Sequence, residues 1–254
     1  MATEPAATLC VDCGGGGIKA GVLDAAGTLH GQPVRIPTPY PLTPARLVEA
    51  VGDLAASLPA AGRLTLGLPG MIRHGLVVWT PHYVNRGGPW TRQDPDLVQA
   101  WTGCDLQAAL SASLGMPSLV VNDAELHGAG VVAGTGVELV LTFGTGLGTA
   151  LFDGGRLAPH LEVSHAPIRR GVTFDEYIGE RHRRTLGNPV WSRRVRRVVE
   201  ALRPVFLWDR LYIGGGNSRL LTPTTLAQLT DEVVVVPNSA AIMGGARAWE
   251  LYGG

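Results

Sequence analysis

The chain has 254 residues, 45% of them hydrophobic, with 21 basic side chains balanced by 21 acidic ones. Zero net charge gives no global pull toward nucleic acid or an acidic membrane, and the length suits one large domain or two lobes of about 100–150 residues. No apolar run reaches the ~18 residues of a membrane span and no charged-then-apolar leader opens the chain, so a soluble cytoplasmic protein is expected.

Residues 8–13 read as a strand, Gly14, Gly15, Gly16 and Gly17 as a turn, 18–24 as a second strand and 29–35 as a third. This hairpin lacks the helix and the spacing of a Walker loop. Its glycines form either a plain turn or a cradle that brings backbone N–H groups against an anion. In the second case Lys19 would assist and Asp12 would hold a metal or a metal-bound water. Cys10 and Cys13 have CxxC spacing but lie within the strand. Cys104 is the one other thiol, so a zinc site lacks its second ligand pair and the thiols read as buried.

Residues 37–44 form an extended, proline-rich connector. Thr43 caps a helix over 45–58 with Pro44 at its first position and apolar residues on one face. Residues 63–68 make a strand that ends in Pro69-Gly70, and 75–80 a short one. Residues 81–95, with His82, Asn85, Arg86, Trp90 and Arg92, form a polar loop. It is either a surface excursion or a face for a polyhydroxylated ligand. Residues 96–114 read as a helix pair or one broken helix.

Near the middle, a buried strand over 116–121 runs into Asn122-Asp123, with a helix from Ala124 to about Val132. Asp123 either caps that helix or serves as a general base at the carboxyl end of a strand, where open α/β sheets bind their ligands. Residues 137–143 make a strand into Gly144-Thr145-Gly146-Leu147-Gly148. A strand over 149–152 and a hairpin turn at 153–155 follow, repeating the opening pattern. Glu162 and His165 either hydrogen-bond ligand hydroxyls or are ordinary loop residues. Helices are expected over 174–184 and 190–203. The arginines at 181, 183, 184, 193, 194, 196 and 197 make either a solvated face or a grip for a polyanion. A strand over 207–213 runs into Gly214, Gly215 and Gly216, followed by a helix over 220–229, a strand over 233–236 and a closing helix over 239–251.

Taken together, these segments resemble the sugar-kinase, actin and Hsp70 superfamily and, within it, the ROK family, over nearly the whole chain. Asp12 to Lys19 resembles the phosphate-1 motif, Gly67-Leu68-Pro69-Gly70 the sugar-lobe turn and Asn122-Asp123-Ala124 the catalytic motif. Thr142 to Gly148 resembles phosphate-2, Glu162-Val163-Ser164-His165 the sugar-binding Glu-x-Gly-His motif, and Ile213 to Gly216 the nucleotide-side turn. The basic stretch 191–197 is similar to the polyphosphate-using branch. The resemblance implies an α/β, two-lobed actin-like ATPase fold with ribonuclease H-like lobes. Residues 1–121 would form the N-terminal lobe and 122–254 the C-terminal lobe, with the closing helix packing back on the first.

The resemblance further implies phosphoryl transfer from polyphosphate or ATP to the 6-hydroxyl of glucose. Asp123 would be the base. Asn122, Glu162, His165, Pro69, Gly70 and Asn85 (or His82) would hold the sugar. Gly14, Gly15, Gly16, Gly17, Lys19, Gly144, Thr145, Gly146, Gly148, Gly214, Gly215 and Gly216 would cradle phosphates, with Mg²⁺ near Asp12, directly or through water. A homodimer is implied, without nucleic acid, membrane or structural zinc. The family's zinc-binding cysteines are absent, and the first strand starts too early for a DNA-binding domain ahead of it. Two residues depart from the pattern: Gly16 replaces a Ser or Thr, and Ser164 replaces a Gly. The segment 75–101 is also longer than usual. These departures keep two alternatives, a kinase for mannose, fructose or an N-acetylhexosamine and a non-catalytic sugar sensor.

Overall fold

Strands β1 (Thr8–Gly14), β2 (Gly17–Leu23) and β3 (Leu29–Ile36) form an antiparallel meander in the computed structural model, which describes residues 7–229 and 232–252. Helix α1 (Pro44–Ala56) crosses to β4 (Arg63–Leu68), which pairs parallel to β1. Thr43 caps α1 through a 3.2 Å bond from the Arg46 N–H, with Pro44 in the first turn. Then come β5 (Met71–Arg73), β6 (Leu76–Trp79), α2 (Pro95–Trp101), β7 (Cys104–Asp105) and α3 (Leu106–Leu114). The expected broken helix is therefore two helices with a short strand between them. β8 (Ser118–Asn122) joins parallel to β4, and α4 (Asp123–Ala129) follows it. The resulting sheet runs β3-β2-β1-β4-β8.

A second sheet repeats that order. It is built from β9 (Val137–Phe143), β10 (Leu147–Asp153) and β11 (Arg156–Leu157), a meander again. A small hairpin of β12 (Pro167–Arg169) and β13 (Val172–Thr173) comes next, then α5 (Phe174–Ile178) and α6 (Glu180–Phe206). β14 (Arg210–Gly214), α7 (Pro223–Leu226) and β15 (Val233–Val235) complete the order β11-β10-β9-β14-β15, with β14 parallel to both neighbours. Helix α8 (Ala240–Tyr252) closes the chain. Two compact units result. One holds residues up to Gly130 together with those from Ala241 on, and the other is Val131–Ala240.

In the first unit β1 is buried on both faces, the usual condition of a central strand in a sheet covered on two sides. Leu9, Val11 and Cys13 share a core with Leu47, Leu66 and Trp101, whereas Cys10 points the other way, to Leu126, Ile242 and Ala248. Burial pushes both thiols of β1 up, so they behave as small apolar groups. In the second unit Trp191, Val195 and Leu202 of α6 pack on Leu139, Phe143 and Ile213.

Four helix boundaries differ from the expectation. The helix expected from Ala124 to about Val132 stops at Ala129. Buried Glu138 instead takes the N–H groups of Ala133, Gly134 and Thr135 and turns the chain. The helix expected over 174–184 breaks at Gly179, where Asp175 O and Thr145 O lie too close for a side chain. α6 then starts at Glu180, bends at Gly187 (φ 73°) with Pro189 just after, and runs to Phe206 rather than covering 190–203. The helix expected over 220–229 is a 3₁₀ turn, Ser218–Leu220, followed by α7, because Thr222 caps at Pro223.

Candidate functional site

Because β1, β4 and β8 are parallel, their carboxyl ends share one edge of the first unit's sheet. There Asp12 pairs with Gly67, and Leu68 with Asn122. This edge brings together the residues 14–17 turn, Pro69, Gly70, Asn122 and Asp123, as open α/β sheets gather their ligands. Asn122, not Asp123, is the helix cap. Its Oδ1 accepts the N–H of Ala124 at 2.8 Å and of Glu125 at 3.4 Å, while Glu125 Oε2 accepts the Asn122 N–H at 3.0 Å. Asn122 Nδ2 donates to Gly70 O at 2.9 Å, leaving one amide hydrogen for a ligand. Asp123 is therefore the first helical residue, half-buried, with Oδ1 accepting the Ala124 N–H at 2.9 Å. Gly70 has φ 117°, and a Cβ there would stand 2.8 Å from Thr80 Cα, so the turn needs glycine.

Asp12 and Lys19 are cross-strand partners, and Arg35 is next to Lys19 in register. Burial raises the Asp12 carboxyl and Lys19 opposes that shift. No group of three or more potential ligand side chains gathers among the described residues. Asp12 alone still suits Mg²⁺, which commonly keeps several waters and takes one carboxylate plus substrate phosphates. Asn85 is buried, and its Nδ2 donates to Pro81 O at 3.3 Å, so it folds the 81–95 loop on itself. His82 lies under Gly15 instead. His127, one helical turn beyond Asp123, is buried with no hydrogen bond to Nε2 among the described residues. Burial, then Lys19, brings it down to about 4.

In the second unit the two glycine turns meet. Asn217 Nδ2 donates to Gly144 O at 3.0 Å and to Glu180 Oε2 at 2.9 Å, and the Asn217 N–H reaches Phe143 O at 2.9 Å. The Glu180 N–H donates to Thr145 O at 3.0 Å, and Asp175 Oδ1 accepts the Leu147 N–H at 2.8 Å. Both ends of the turn from Gly144 to Gly148 are thereby tied, next to Gly214, Gly215 and Gly216. Hydrogen bonds from Arg183, and then from Arg184 and Asn217, outweigh burial and hold Glu180 down at about 2. Sequence reasoning missed this set, although Asn217 directly follows the third glycine turn.

Glu162 precedes a 3₁₀ turn, Val163–His165, that leaves His165 exposed. Ser164 Oγ donates to Glu162 Oε1 at 2.6 Å, and His160 Nε2 stands 3.6 Å from Oε2. Burial would raise Glu162, but His160, Ser164 and the nearby His165 together hold it below the usual range. Both carboxylate oxygens thus already have neighbours, one of them supplied by the departure at Ser164. His160 was not singled out in the sequence, although it stands two residues before Glu162.

Two sheets of one order, each with a glycine turn at its first hairpin, define the actin-like ATPase fold of the sugar kinases. The ROK family model matches residues 8–159, and the chain belongs to the ROK family. It is 28% identical over 253 residues to a polyphosphate glucokinase of Mycobacterium tuberculosis (strain CDC 1551 / Oshkosh), covering 94% of this chain and 89% of that protein. It is similar to the structure of an inorganic polyphosphate/ATP-glucomannokinase from Arthrobacter sp. strain KM. The TM-score is 0.77 at 31% identity, over 97% of this chain and 99% of that one. A ROK family glucokinase from Streptomyces griseus, in complex with glucose and AMPPNP, shares the fold. Its TM-score is 0.74 at 18% identity, over 95% and 98% of the two chains.

Proposed function

We propose that the chain is a hexose kinase of the glucokinase type, moving a phosphoryl group from polyphosphate or ATP to the 6-hydroxyl of glucose. One observation carries this reading. Asp123 stands at the carboxyl end of β8, half-buried beside the Gly70 turn's partner Asn122, and Asn122 rather than Asp123 caps the helix. Asp123 takes the proton of the sugar hydroxyl as the oxygen attacks phosphorus. Asn122, through its remaining amide hydrogen, holds a ring hydroxyl, and Pro69 and Gly70 shape the turn beside it; Glu162 and His165 hold other hydroxyls. Of the two candidates in the long loop, Asn85 is engaged with Pro81 O, which weakens its claim to a sugar hydroxyl.

Backbone N–H groups at 14–17 and 144–148, with Lys19, take the donor's phosphate oxygens, and the turn at 214–216 adjoins the second of these loops. Asp12 would hold Mg²⁺, directly or through water; the ion would neutralise charge developing on the transferred group. For the donor, three arginines gather at Tyr177. Arg169 and Arg194 stack over its ring at 5.5 and 4.5 Å, and Arg197 reaches its hydroxyl. Stacking leaves a guanidinium its charge, so this group supports polyphosphate as donor. Arg183 and Arg184 are less suited, since Glu180 holds both.

The test is Asp123→Asn, assayed with glucose, Mg²⁺ and each donor. Loss of a positioned base lowers turnover about 10²–10⁴-fold while glucose binding by calorimetry stays near wild type. Full turnover in that variant would remove Asp123 from the mechanism, and turnover with another hexose alone would favour the second substrate reading.

A further inference from the structure

Four consecutive glycines lose more backbone freedom on ordering than any other tetrapeptide, so a loop of that composition presents its N–H groups well only if something holds it. The side chains around residues 14–17 do so. Thr38 Oγ1 donates to Gly14 O at 2.8 Å, Tyr40 Oη to Gly15 O at 3.1 Å and Arg35 Nη2 to Gly16 O at 3.2 Å. Tyr83 Oη reaches Gly14 O at 3.4 Å. A trans peptide is planar, with N–H and C=O pointing opposite ways. Tying the carbonyls of Gly14 and Gly15 therefore turns the N–H groups of Gly15 and Gly16 away from those anchors, while the Gly17 N–H faces Gly14 across the hairpin.

The hold is itself anchored. The Tyr40 and Tyr83 ring centroids are 6.4 Å apart, and those of Tyr83 and Trp101 are 5.5 Å apart. Tyr83 and Trp101 are fully buried, and Trp101 Nε1 donates to Leu42 O at 2.8 Å. A Cβ on Gly15 would meet Pro89 Cγ at 2.7 Å and His82 Cδ2 at 3.2 Å, and one on Gly17 would meet Arg35 Nη2 at 2.7 Å. The long 81–95 loop thus supplies Tyr83 and backs the glycines.

We propose that Arg35, Thr38, Tyr40 and Tyr83 are positioning residues that hold the four-glycine loop in its phosphate-binding form, with the 81–95 loop as its support. This rests on the reading of residues 14–17 as a donor loop. Tyr40→Phe and Thr38→Val each delete one donor with almost no change of shape. One lost hydrogen bond of ordinary strength corresponds to about a fivefold effect. The KM for the phosphoryl donor is expected to rise by about that factor in each variant, with the glucose KM unchanged. Amide hydrogen exchange at residues 15–17 should quicken similarly. Unchanged exchange and unchanged donor KM in both variants would overturn the proposal, as would an equal rise in both KM values. If the wild-type chain turned over no sugar with any donor, the kinase reading would fall, and the exchange rates at 15–17 would still decide whether these side chains hold the loop.

Discussion

His127 shows what one buried side chain does to the pH response. The unfolded chain takes up its proton as pH falls through 6.5, but the folded chain resists until about 4. Folding stability attributable to this group is therefore whole above pH 6.5 and is lost progressively between 6.5 and 4. At about 1.4 kcal/mol per pH unit, the loss reaches about 3 kcal/mol at the acid end. Urea unfolding at pH 7, 5.5 and 4.5 should show this slope, and His127→Gln should flatten it; identical slopes would assign the acid sensitivity elsewhere. At this scale the sequence was legible in placement, as at Asp12 and Asp123, which both stand at the carboxyl ends of parallel strands. It was silent where a third-dimensional neighbour decides the role. Nothing in Glu162-Val163-Ser164-His165 announces that Ser164 spends its hydroxyl on Glu162, nor that His160 stands beside the same carboxylate. Gly16 was legible as a departure, and the structure adds that a Cβ there meets nothing within 4 Å, so sterics do not require the glycine.

Among elements, the long strands were read closely, whereas the short β5, β7, β12 and β13 were not anticipated and the helices were read less well. Buried strands such as β1, β8 and β9 announce themselves by apolar runs ending in glycine or Asn-Asp. Helix ends are set instead by contacts that the apolar periodicity does not carry. The expected helix breaks at Gly179, where a Cβ would meet Asp175 O at 2.8 Å and Thr145 O at 2.9 Å, and Glu138 turns the chain after α4 by collecting three N–H groups. Glu138 is fully buried and also accepts the Tyr212 hydroxyl at 2.8 Å, so an acidic residue in a strand pattern was a structural acceptor. Glu138→Ala would leave the buried Tyr212 hydroxyl without its acceptor and free the 133–135 turn, and is expected to destabilise the second unit by about 1–3 kcal/mol. Glu138→Gln, which keeps one acceptor oxygen, should lose less. Calorimetric melting of both variants checks the order, and an Ala variant as stable as wild type would show that water replaces the carboxylate.

At the scale of the molecule, the doubled glycine-turn pattern made the repeat of two like sheets legible before any coordinates. The return of α8 came only from the family resemblance, and its partners, scattered along the chain, were not anticipated. Thr65 Oγ1 donates to Gly245 O at 2.7 Å, Trp249 Nε1 to Thr65 Oγ1 at 2.9 Å, and Tyr252 Oη to Glu125 at 2.7 Å. Charge is the other whole-molecule quantity. With 21 basic and 21 acidic side chains the chain has no net attraction for a polyanion, so any grip on polyphosphate must be local. Of the seven arginines between 181 and 197, Glu180 holds two and Glu200 pairs with Arg196. Arg194 and Arg197 gather with Arg169 at Tyr177, and Arg181 and Arg193 are exposed. A local cationic surface of this kind is screened once the Debye length shrinks from about 10 Å at 0.1 M salt to about 3 Å at 1 M. Several contacts along a chain of phosphates multiply that loss, whereas ATP offers only three phosphates to the same surface. Raising NaCl from 0.05 to 0.5 M, as chosen assay conditions, should therefore raise the KM for long-chain polyphosphate by about tenfold or more and that for ATP by much less. Arg194→Gln with Arg197→Gln should remove most of the difference between the donors. Equal, shallow salt dependence for both would mean that the arginines at Tyr177 serve packing alone.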